Sequence, residues 1–131
     1  MLKTNSKKFK ENLRKYIVDN YNPDNYSNAP GEDADYATIK AFISNTFTSE
    51  KYHTKEDFRY YKNRFEAFED WCAGLPSVLD TCYYYNRSAC DDIAMLLEES
   101  ESERAKYGEN ERRAEHVLTS LIYRELFSNE G

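Results

Sequence analysis

The chain has 131 residues, a formal charge of −6 from 24 acidic and 18 basic side chains, and a mean hydropathy of −0.93. No apolar run approaches the ~18 residues of a membrane span, and the opening MLKTNSKKFK lacks the apolar stretch of a signal peptide, which points to a cytoplasmic protein with no membrane partner. The low hydropathy does not imply disorder: Ile, Leu and Val number 17 but Phe, Tyr and Trp number 20, and each ring buries on the order of 150–250 Å².

The predicted elements are helical nearly throughout. Phe9, Leu13, Tyr16 and Ile17 recur at helical spacing after a cap at Ser6 or Thr4, which predicts a first helix from about Asn5 to Asp19. The Pro, Gly, Asn and Asp cluster of YNPDNYSNAPGED then predicts a loop over about 20–32. Tyr36, Ile39, Ile43 and Phe47 mark a second helix, roughly Asp33 to Thr46. A third starts at the Thr54–Asp57 capping box, carries Phe58, Tyr61, Phe65, Phe68 and Cys72 at spacings of 3, 4, 3 and 4, and stops at Gly74.

Ser77 and Asp80 open a fourth helix, read as running to Ser100. Val78, Cys82, Tyr85, Ala89, Ile93 and Leu96 form its inner face, with Leu79, Cys90 and Leu97 beside them. This register sorts the run Tyr83-Tyr84-Tyr85, because neighbours on a helix diverge by about 100°. Tyr85 belongs to the core, Tyr83 flanks it, and Tyr84 faces outward with Arg87 and Asp91. Whether the helix is continuous with a kink at Asn86-Arg87, or breaks there with Ser88 capping a new segment, stays open; the kinked single helix is favoured. Ala114, Val117, Leu118, Leu121 and Ile122 define a last helix over about 109–127. The expectation is an all-α fold, a compact bundle of about five helices in a single domain spanning 1–131, with its helical core in 33–127.

Several constellations carry candidate functions. Tyr60, Arg64, Ala67 and Trp71 form a second stripe on the third helix. A guanidinium beside aromatic faces can serve as a cation–π plate for a partner, although a central helix touching two neighbours explains the stripe as core. Together with Tyr84, Arg87 and Asp91, these residues are the candidate partner surface. On the first helix Lys3, Lys7, Lys10 and Arg14 form a basic ridge. Residues 1–20 hold six basic and two acidic side chains, leaving −10 on the remainder. Lys7, Lys10 and Arg14 are therefore candidate nucleic-acid contacts, against the reading of a solvated face that docks on the chain's own acid, with EESESE at 98–103 as the candidate partner.

The segment 91–115 holds nine carboxylates against four basic residues. It suits either a solvated helix end or an acidic inhibitor that imitates DNA phosphates through Glu98, Glu99 and Glu101. Glu125 falls in the apolar arc of the last helix, where a carboxylate works as an acid or base, or pairs with a nearby arginine; pairing is favoured. Glu50–His53 is one ExxH, whereas a di-iron bundle uses two such motifs with partner glutamates. Cys72, Cys82 and Cys90 form no CxxC pair and suit buried thiols in a reducing compartment. No phosphate loop or nucleophile motif appears, so the expectation is a non-enzyme with no catalytic residue, cofactor or metal.

The stretch 71–103, from Trp71 through GLPS and YYYNRSA to the acidic run, together with LTSLIYREL at 118–126, resembles small proteins encoded by phages and conjugative elements of Gram-positive gut bacteria. The similarity covers about residues 65–127. It implies a bacterial cytoplasm and an accessory role on a mobile element. No activity or catalytic residue attached to that family carries over residue by residue. The reading is an accessory protein that binds a protein partner, with nucleic-acid binding or inhibition of a DNA-acting host enzyme as alternatives.

Overall fold

Ser6 begins the first helix by chemistry rather than by pattern alone. Its backbone is extended (φ −75°, ψ 153°), and its Oγ accepts the Phe9 amide at 3.2 Å, satisfying one of the orphan donors of a helix start. Helix α1 then runs Lys7–Asp19 and buries Phe9, Leu13, Tyr16 and Ile17, the four residues whose spacing predicted it. The computed structural model describes residues 2–25, 28–48, 68, 79, 89–100 and 111–128.

A 3₁₀ turn at Pro23–Asn25 follows, and the Tyr21 hydroxyl donates to the Pro30 carbonyl, tying the two ends of the loop together. Helix α2 is Tyr36–Thr48, starting later than the expected Asp33. Asp35 is the reason: its Oδ1 accepts the Thr38 amide at 2.8 Å, while Asp33 is exposed in the preceding turn. Helix α3 is Ala89–Leu96 and helix α4 is Glu111–Leu126. These four α-helices make the described structure all-α.

One expectation fails at Leu79. It forms an isolated antiparallel bridge with Tyr21, so a single helix from Ser77 to Ser100 is wrong at that residue. Leu79 is nevertheless fully buried. Its partner lies far away in sequence, which a periodicity argument cannot see. Residues 86–88, where the kink was weighed against the break, lie outside the described residues.

The core is shared by all four helices. Ile39 and Ile43 from α2, Ile93 and Leu96 from α3, and Leu118, Ile122 and Leu126 from α4 meet the inner row of α1. Helix α1 packs against the other three, and α3 lies along α4. Phe68 is helical and buried, with its ring 5.5 Å from Tyr123 and 5.6 Å edge-on to Phe127, while Tyr123 and Phe127 sit 4.6 Å apart. Such tilted and edge contacts add to area burial. Cys90 is a buried free thiol. Val117, expected inside, is 40% exposed, because the buried arc of α4 centres on Leu118, Ile122 and Glu125, and position 117 falls at its margin. Among the described residues no helix is long and apolar enough to cross a membrane.

Candidate functional site

Two polar junctions on α1 organise the described structure. At the first, Glu125 is held by two other helices. Its Oε1 accepts from Arg14 Nε at 2.7 Å and from the Tyr36 hydroxyl at 2.7 Å. The guanidinium also stands over the Tyr36 ring, 5.4 Å from its centroid. The Glu125 side chain is 8% exposed and that of Arg14 is 39% exposed, so the carboxylate is the group that needs a partner. The glutamate hydrogen bond, above all, holds the Arg14 guanidinium more firmly protonated. Burial, and then the Glu125 bond and charge, push the Tyr36 phenol well above its ordinary value. Of the two roles weighed for Glu125, pairing with an arginine is the one present. The residues belong to α1, α2 and α4, so the cluster is a clamp across three helices.

The second junction joins α1 to α3. Tyr16 donates its hydroxyl to Asp92 Oδ2 at 2.7 Å, and Asn12 Nδ2 donates to the Leu96 carbonyl at 3.0 Å. Asn20 ends α1 and returns its Nδ2 to the Tyr16 carbonyl at 2.8 Å. Between the helices lies a groove of about 470 Å³, lined by these residues and by Lys15, Asp19, Met95 and Glu98. Met95 is 60% exposed, which sets a flexible, polarizable apolar side chain beside three carboxylates.

The expected site residues distribute unevenly. Lys7 is exposed on α1. Lys10 shares with Arg124 and Ser128 a smaller groove of about 350 Å³ between α1 and α4. Arg14 is drawn to Glu125 instead of forming an open ridge with those lysines. Asp91 is exposed at the start of α3. Tyr60, Arg64, Trp71, Tyr84 and Arg87 lie outside the described residues, as does Glu50–His53. Among the described residues, no group of three His, Cys, Asp or Glu side chains is placed to hold a metal.

The sequence reading missed Asn12, Tyr16 and Asn20 as a polar row. They recur every fourth residue, which puts them along one edge of α1, and Tyr16 also fits the core stripe, which hides its polar role. Comparison of the chain with models of known families, with curated proteins and with solved structures finds no match.

Proposed function

We propose that the protein works by binding a polypeptide partner in the groove between α1 and α3, as an accessory protein of a phage or mobile element in a bacterial cytoplasm. The observation that carries this reading is Met95. It is 60% exposed on a helix whose other apolar residues, Ala89, Cys90, Ile93, Ala94 and Leu96, are buried. It also borders a groove large enough to receive one or two side chains. An exposed apolar anchor with polar groups around it is how many protein surfaces engage a partner.

A photo-crosslinking residue in place of Met95, compared with one at the exposed Lys8 of α1, tests this in cells of the source organism. A discrete crosslinked polypeptide from position 95 alone is expected. No product, or the same products from both positions, would count against the groove.

A second reading, nucleic-acid binding, is supported by Lys10 and Arg124 lining one groove with Lys7 exposed on the same helix. It requires a mobility shift that weakens steeply as salt rises. Absence of a shift at low salt removes it.

A further inference from the structure

We infer that the α1–α3 groove receives an arginine side chain of the partner; the inference rests on the groove being the binding surface. Three of the groove's donor groups already serve acceptors inside it. Asn12 Nδ2 serves the Leu96 carbonyl, Asn20 Nδ2 serves the Tyr16 carbonyl, and the Tyr16 hydroxyl serves Asp92. Lys15 Nζ stands 3.9 Å from Asp19 Oδ2, with both side chains more than half exposed. That is too long for a hydrogen bond, and exposed pairs of this kind hold weakly.

The acceptors are in excess. Asp19, Asp92 and Glu98 bring three carboxylates from α1, from α3 and from the turn after α3, against one lysine. Of these, only Asp92 has an oxygen occupied by a groove donor.

Asn20 is an independent indication. The residue is 5% exposed, it lines the same groove, and its Oδ1 has no hydrogen-bond donor among the described residues. Turning the amide over would not relieve this, because Nδ2 is needed by the Tyr16 carbonyl. A buried acceptor without a donor costs free energy that a ligand donor recovers.

The complementary occupant is therefore cationic and rich in N–H groups. A guanidinium offers five donors in a planar fork, is weakly hydrated, and lies comfortably against an apolar surface such as Met95; an ammonium offers three and holds its water more strongly. Among the described residues the groove's lining carries two negative charges in excess, which selects the same sign of ligand.

The probes are acetyl-Leu-Arg-Leu-amide and the same peptide with citrulline, which keeps the shape and removes the charge. Each is titrated into the full chain and followed by amide resonances. The arginine peptide is expected to shift Asn20, Asp92 and Met95, with the citrulline peptide at least about tenfold weaker. Asp92→Asn, which keeps an acceptor for the Tyr16 hydroxyl, and Glu98→Gln should each weaken the arginine peptide several-fold and leave the citrulline peptide unchanged. Equal binding of the two peptides at these residues would overturn the arginine assignment while leaving the groove as a peptide site. Shifts confined to other surfaces, or no shifts with either peptide, would overturn both.

Discussion

Arg14 and Glu125 show how position decides a side chain's role. Arg14 stands at helical spacing from Lys7 and Lys10, and sequence spacing alone groups it with them. Its partner is 111 residues away, a relation no local pattern encodes. Glu125, by contrast, was legible as a carboxylate set in an apolar arc, and the need for a partner follows from burial. Arg14→Ala leaves that carboxylate with only Tyr36 among its described partners. A loss of about 1–3 kcal/mol in urea unfolding is expected, below the cost of a fully buried pair because Arg14 is part-exposed. The double variant Arg14→Met/Glu125→Leu should recover most of it, and equal losses in the single and double variants would contradict the pairing. Tyr36 gives a second test. Its phenol keeps its proton to higher pH in the folded chain than in the unfolded one. Its contribution is therefore whole below about pH 10 and is lost as pH rises through the folded value. Tyr36→Phe should flatten the alkaline fall in stability, and an unchanged pH profile would refute that origin.

At the scale of elements, the existence of a helix was more legible than its exact bounds. Ser6 acts as the cap its position suggested. The start of α2 differs from the expected Asp33 because Asp33 and Asp35 both qualify as caps by type, and only geometry selects Asp35. Leu79 departs from the expected helix because its backbone bridges to Tyr21 across the fold. The end of α3 holds a feature that sequence does not advertise. The amides of Glu98 and Glu99 bond to the carbonyls of Met95 and Ala94, at 3.2 and 2.9 Å, which is a Schellman ending with Glu98 at the left-handed position, φ 52°. Glycine is the usual residue there, since a side chain in that conformation costs about 1–2 kcal/mol. Glu98→Gly is expected to raise stability by about 1 kcal/mol in thermal or urea unfolding while weakening the arginine peptide. A destabilised variant would mean the carboxylate has a structural partner.

For the whole molecule, aromatic and aliphatic rows at helical spacing predicted an all-α chain, and the described residues bear this out with one shared core. Charge was harder to read. The sequence offers a basic N-terminal helix and an acidic segment, either as surfaces for partners or docked on one another, but packing divides each of them. Arg14 turns to Glu125, while Asp92 and Glu98 join Asp19 across the α1–α3 groove. Which charges face one another is set by helix packing, and helix packing depends on contacts distant in sequence. The groove is where the fold leaves acceptors and an apolar anchor together, so Met95 is the most direct reporter of the proposed binding. The chain has two methionines, and a spectrum with ¹³C-methyl methionine resolves them by comparison with Met95→Leu. On saturation with the polypeptide captured from position 95, the Met95 methyl resonance is expected to move and broaden as it leaves solvent. A Met95 signal unchanged at saturation would contradict binding in this groove.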